Sequence, residues 1–180
     1  MSKEPFEQSS KLPLVIVNPK SASGSTRENW AATASELRTH FGAYSAAFTK
    51  ASGDATAIAE RAAREGRRFI IACGGDGTIN EVANGIIGSR ADAELGILPS
   101  GTGGDLRRSL NIPNDPREAA RVLRVGVTKG IDAGKVSFVD NDGIDTSRYF
   151  LNVASVGLAA SIIDRVKASK TFNWLPTKHL

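Results

Sequence analysis

The chain has 180 residues, with 41% hydrophobic and 23% charged side chains, which suits one good hydrophobic core and part of a second. A net charge of +4 suits an anionic partner or plain solubility, and without basic runs interleaved with aromatics a nucleic-acid partner is not expected. One cysteine and two histidines exclude an internal disulfide framework and a histidine-rich metal site.

The N-terminus, residues 1–11, is polar and lacks a signal-peptide core, and no stretch approaches the about 18 apolar residues of a membrane span. These features predict a soluble, cytoplasmic protein. Leu12 to Val17 reads as a buried strand, followed by the loop NPKSASGST. Trp30, Ala34, Leu37 and Phe41 recur at helical spacing over Thr26 to Phe41, and Tyr44 to Phe48 reads as a second strand. Ala55, Ile58, Ala59, Ala62 and Ala63 mark one face of a helix that Gly66 ends.

Phe69 to Cys73 is a third strand, with Cys73 as a small buried hydrophobe rather than a reactive thiol. It runs into GGDGT and a helix over Ile79 to Ile87; Leu95 to Leu98 follows as a fourth strand. Helical patterns at Leu106 to Leu110 and Glu118 to Val125 complete an alternating order. That order predicts an open, mostly parallel α/β sheet with helices on both faces over residues 12–129. From residue 130 the pattern changes. Ile131 to Val139 and Arg148 to Val153 read as strands joined across Asp140 to Gly143, the opening of a β-rich second domain over 130–180.

Three strand-to-helix loops emerge at the carboxyl edge of such a sheet, where open α/β sheets bind ligands. In the middle one, Gly74, Gly75 and Gly77 permit positive φ and close approach, and their N–H groups can converge on phosphate oxygens. Asp76 could hold Mg2+ or accept a proton from an attacking hydroxyl. A structural reading stands beside this: Thr78 as N-cap with Glu81 reaching back in a capping box, and Asp76-Gly77 as an ordinary turn pair. Capping does not require two glycines before Asp76. The later loop places Gly101, Thr102, Gly103 and Gly104 before Asp105, read as a helix N-cap; the first offers Asn18, Ser21, Ser23, Gly24 and Ser25. Neither G-x-x-x-x-G-K-[ST] nor G-x-G-x-x-G is present.

GGDGTINEVANGI (Gly74 to Ile86), NPKSASG (Asn18 to Gly24) and PSGTGGDLRRSL resemble, in order and separation, the motifs of the diacylglycerol, sphingosine and ceramide kinase family. The resemblance spans Leu12 to Val156, although GGDGT alone is shared with NAD kinases. It implies a phosphofructokinase-like N-terminal domain, a β-sandwich second domain and ATP with Mg2+ bound between them. Carried over by position, the nucleotide contacts are Asn18, Thr49, Gly74, Gly75, Asp76, Gly77, Thr78, Ile79, Asn80 and Thr102. Ser23, Gly24, Gly101 and Gly103 stand in the same loops.

By the same resemblance Asp76 takes the acidic catalytic or Mg2+-organising role, and Glu81 and Asp105 support the loops. The implied acceptor is a lipid hydroxyl met transiently at the inner membrane face. The family's usual G-T-G-N-D is G-T-G-G-D here, with Gly104 removing a side-chain amide, and relatives continue well past this point. A second domain begun but not completed predicts open strand edges and self-association through them. An NAD kinase-like enzyme and a non-catalytic nucleotide or lipid sensor remain the alternatives.

Overall fold

The computed structural model describes residues 11–100 and 104–152. Strand β1 (Leu14–Val17) leads through a 3-10 turn (Ser21–Gly24) into α1 (Ser25–His40). Then come β2 (Ser45–Phe48), α2 (Asp54–Arg64), β3 (Phe69–Gly74), α3 (Asp76–Ser89) and β4 (Glu94–Pro99). Helices α4 (Asp105–Ser109) and α5 (Pro116–Val125) precede the strands β5 (Gly134–Val139) and β6 (Asp145–Phe150).

The first four strands form one parallel sheet in the order β2-β1-β3-β4. Every residue of β1 and β3 is buried, as expected of parallel strands covered on both faces. Alternation divides their side chains between two cores. Leu14, Ile16, Ile70 and Ala72 pack with the alanine face of α2, with Ile79 and Val82 of α3, and with Leu106 of α4. Val15, Val17, Ile71 and Cys73 pack on the other side with Leu37, Phe41, Ala119 and Ala120. Each fully buried Val or Ile here contributes about 1.5–3 kcal/mol relative to exposure, so these two strands anchor the domain.

Helices α2 and α3 come unusually close. A methyl group built on Gly85 would sit 2.3 Å from the Thr56 carbonyl oxygen and 2.8 Å from the Ala59 Cβ. Gly66 closes α2 as read from the sequence, with φ +87 and its N–H on the Ala63 carbonyl. Asp115 caps α5 by accepting from the Glu118 N–H at 3.0 Å, with Pro116 in the first turn.

The expected hairpin is present: β5 and β6 pair antiparallel, and Asp140 Oδ1 accepts from the N–H groups of Asp142 and Ile144 within the turn. Strand β6 begins at Asp145, earlier than read, because its first residues are polar and carry no apolar alternation. Leu151 beyond it packs against the α2–α3 core. The expected continuation of this strand at Val153 lies outside the described residues.

Candidate functional site

A cleft of about 400 Å3 opens at the carboxyl edge of the sheet. Its walls are the segment after β1 (Asn18, Lys20, Ser21, Ala22), the segment after β2 (Thr49 to Ser52), and the start of α3 (Gly75, Gly77, Thr78) with Glu81. The register explains the convergence, since Val17, Phe48 and Cys73 stand side by side where three parallel strands end.

The N-terminus of α3 is left open by its sequence. Its N-cap is Gly75, which makes no side-chain cap, and the Ile79 N–H is the donor to the Gly75 carbonyl. The N–H groups of Asp76, Gly77 and Thr78 belong to the first turn, where an α-helix offers no carbonyl partner of its own. A Cβ on Gly75 or Gly77 would meet nothing within 4 Å. The helix pole therefore faces open space through two residues without side chains.

Gly74 serves another purpose. A Cβ there would lie 2.5 Å from Thr78 Oγ1 and 3.0 Å from Ser21 Oγ, so glycine lets the first loop and α3 close on each other. Gly74, Gly75 and Gly77 do not use the positive φ open to them; in these loops it is adopted by Ala22 (+52), Ser23 (+56), Gly24 (+96) and Gly104 (+83).

The capping-box expectation is corrected. The helix starts at Asp76, so Thr78 is already inside it, and its hydroxyl accepts from Asn18 Nδ2 at 3.0 Å. Glu81 falls too far along to reach back. It turns to the preceding helix and accepts from the Ala55 N–H at 3.2 Å and the Ser52 hydroxyl at 3.5 Å, capping α2 from outside.

Asp105 is likewise the first residue of α4 and not its cap; its carboxylate pairs with Arg108. The cap comes from Asp76, whose Oδ2 accepts from the N–H groups of Gly104 (3.0 Å) and Asp105 (3.3 Å), and whose Oδ1 accepts from Leu106 (3.4 Å). Asp76 thus ties the middle glycine loop to the end of the later one. The beginning of that later loop is fixed by a 2.5 Å contact between the Ser100 and Thr26 hydroxyls.

Gly104 adopts a left-handed conformation, with φ +83 and ψ 40. Glycine takes it freely and asparagine better than other residues, so the exchange with the family's usual Asn follows from backbone shape. Gly104→Asn is expected to unfold within about 0.5 kcal/mol of the parent, and Gly104→Val about 1–2 kcal/mol earlier, in urea titrations.

Of the residues expected in the site, Asn18, Thr49, Gly75, Gly77 and Thr78 line the cleft together. Ile79 points into the core, and Asn80 sits further along α3, its carbonyl accepting from Asn84. Ser23 and Gly24 lie in the 3-10 turn that delivers α1. Gly101, Thr102 and Gly103 fall outside the described residues.

Two lysines were missed. Lys20 and Lys50 both line the cleft, and Lys20 Nζ donates to the Lys50 carbonyl at 3.0 Å. Reading the end of β2 by the same carboxyl-edge rule would have found Lys50 beside Thr49.

Behind Lys50, the Asp54 carboxylate accepts from the N–H groups of Lys50 (2.7 Å) and Ala51 (2.9 Å), and these two bonds hold its pKa below the ordinary value. A carboxylate depressed in the folded state stabilises fully above its unfolded pKa of about 4, and that contribution fades as pH falls through the lower folded value. Comparing acid unfolding of the parent with Asp54→Asn should therefore show curves that differ above about pH 4 and converge below it. Cys73 is wholly buried and its thiol is pushed up to about 12, which suits packing rather than reactivity.

The described residues do not make a ligand set for Mg2+. Among the described residues no three His, Cys, Asp or Glu side chains gather, and both oxygens of Asp76 already accept from amides of α4. A nucleotide fits better: the α3 pole is open, two glycines leave room, and Lys20 and Lys50 line the same cleft.

An open parallel sheet with its ligand edge at the strand ends defines the class as a doubly covered α/β domain. Residues 13–136 match the diacylglycerol kinase catalytic domain, and the chain belongs to that family. Diacylglycerol kinases of Staphylococcus aureus strains JH9 and Newman are each 43% identical over 113 residues, covering 63% of this chain and 33% of theirs. A crystal structure of a diacylglycerol kinase from Bacillus anthracis str. Sterne superposes with a TM-score of 0.64 at 32% identity, covering 81% of this chain and 49% of that one. The chain thus spans about a third of the length of the curated relatives it matches. Among the described residues no helix is long and apolar enough to cross a membrane.

Proposed function

We propose that this domain binds ATP at the α3 pole and contributes to transfer of its γ-phosphoryl group to a lipid hydroxyl, with a diacylglycerol-like acceptor. The supporting observation is the uncapped start of α3, bare of side chains at Gly75 and Gly77 and facing a cleft that Lys20 and Lys50 share. Phosphoryl transfer asks a protein mainly for positioning and charge stabilisation, and main-chain N–H groups with ammonium groups supply both.

In this reading Asn18 and Thr78 set the cleft floor, Thr49 lies beside it, and Asp76 and Glu81 hold the surrounding helices. Mg2+ is expected to enter with the nucleotide phosphates rather than on a cluster of protein carboxylates. The acceptor would be met at a membrane surface, and the hairpin would open a second domain. The exposed Phe138, Val139 and Ile144 on that hairpin support the self-association expected from open strands.

Calorimetric titration with Mg·ATP, followed by phosphorylation assays on vesicles containing diacylglycerol, tests the reading. Saturable ATP binding with labelled phosphate appearing in the lipid is expected. Phosphorylation of NAD and not of diacylglycerol would reverse the acceptor; absence of ATP binding would overturn the reading altogether.

A further inference from the structure

Helix α3 carries the cleft at its first turn, and two turns further along it grips the hairpin. The side chain of Asn84 makes two 2.8 Å bonds to one residue of β6: Nδ2 donates to the Tyr149 carbonyl, and Oδ1 accepts from the Tyr149 N–H. Nδ2 also donates to the Asn80 carbonyl at 2.8 Å, which fixes the orientation of the amide. Tyr149 is paired with Lys135 of β5. With both directed at Asn84, the main-chain N–H and carbonyl of Tyr149 point away from β5, as those of alternate residues in an antiparallel pair do. One carboxamide therefore does what a neighbouring strand residue would do, offering one donor and one acceptor to the outer edge of β6.

We infer that Asn84 is a positioning residue that seats the β5–β6 hairpin on the helix bearing the anion pole, so that the two parts move as one during catalysis. Three features support this. The clasp uses main-chain atoms of β6, so it fixes the strand itself and not a mobile side chain. Leu151, two residues beyond, enters the α2–α3 core and continues the attachment. And among the residues of α3, those lining the cleft precede Asn84, so a change at this position leaves the cleft walls in place. The catalytic part of the inference rests on the proposed phosphoryl transfer; the clasp itself does not.

The test compares the parent protein with Asn84→Ala and with Asn84→Leu, which is nearly the same shape but can neither donate nor accept. Amide exchange without nucleotide is the first readout. Tyr149 should exchange about tenfold faster in both variants, while Ile71 in β3 keeps its rate. The second readout is the affinity for Mg·ATP, expected to stay within about twofold, against kcat for diacylglycerol phosphorylation, expected to fall about tenfold.

Unchanged exchange at Tyr149 would overturn the clasp, as would parent-like exchange in Asn84→Leu alone, since packing and not hydrogen bonding would then be the cause. Faster exchange with unchanged kcat would overturn the positioning role, and so would a loss of ATP affinity that tracks a loss of thermal stability. If the parent neither binds ATP nor phosphorylates lipid, the proposed function fails, and the exchange readout still decides the clasp.

Discussion

Gly77→Asp is expected to weaken ATP binding by at least about a hundredfold while unfolding at nearly the same urea concentration as the parent. The position is exposed within the cleft, and a Cβ there meets nothing within 4 Å, so the fold tolerates a side chain. Residue 77 is in the first turn of α3, where an acidic group interacts favourably with the helix pole by about 0.3–1 kcal/mol, offsetting part of any packing loss. The same carboxylate would occupy the space and neutralise the field that a phosphate needs. Stability and binding should separate cleanly. Gly77→Ala, which adds volume without charge, should lie between the two. Near-parental ATP affinity in the aspartate variant, measured by calorimetry, would move the nucleotide away from the α3 pole.

Gly85→Ala should be strongly damaging for a single added methyl, costing about 2–3 kcal/mol in urea unfolding. Helix propensity argues the other way, because alanine is preferred over glycine in a helix interior by about 1 kcal/mol. Contact decides the sign. The added methyl would sit 2.3 Å from the Thr56 carbonyl oxygen and 2.9 Å from the Glu60 amide nitrogen, both main-chain atoms of α2 that cannot step aside alone. Gly88, one turn on, is the control: its nearest neighbour is the Glu60 side chain at 3.9 Å, so Gly88→Ala should follow propensity and stabilise by about 0.5–1 kcal/mol. If both variants gain stability, the close approach of α2 and α3 is not as described. Since α3 also carries the anion pole, Gly85→Ala should weaken ATP binding too, by displacing the helix.

Much of the α/β frame was legible because buried parallel strands write themselves as unbroken apolar runs. LVIV and FIIACG are both buried throughout, and the alanine face of α2 repeats at helical spacing. The carboxyl-edge loops were legible for a related reason, since glycine-rich turns after such strands have few structural explanations. What stayed hidden depended on partners distant in sequence. Thr78 and Glu81 carry the right spacing for a capping box, yet their partners are Asn18 and the start of α2, which no local pattern announces. Asp76 reads locally as a turn residue or a catalytic acid, while its observed hydrogen bonds cap a helix that begins at residue 105. Lys20 and Lys50 carry no glycine beside them to attract notice, and only the side-by-side strand ends bring them together.

Three of the bonds that hold the cleft's loops together are long-range. Asn18 to Thr78 spans 60 positions, Thr26 to Ser100 spans 74, and Asp76 to Gly104 spans 28. Each closes a loop whose entropy must be surrendered before the contact gives anything back. A chain leaving the ribosome can bury β1 against β3 once those strands have emerged, yet it has no finished cleft until Gly104 is out as well. Ligand-binding competence should therefore arrive after the sheet, as a late event in synthesis. A ligand present at that moment would favour the completed arrangement by mass action and draw the last loop into place.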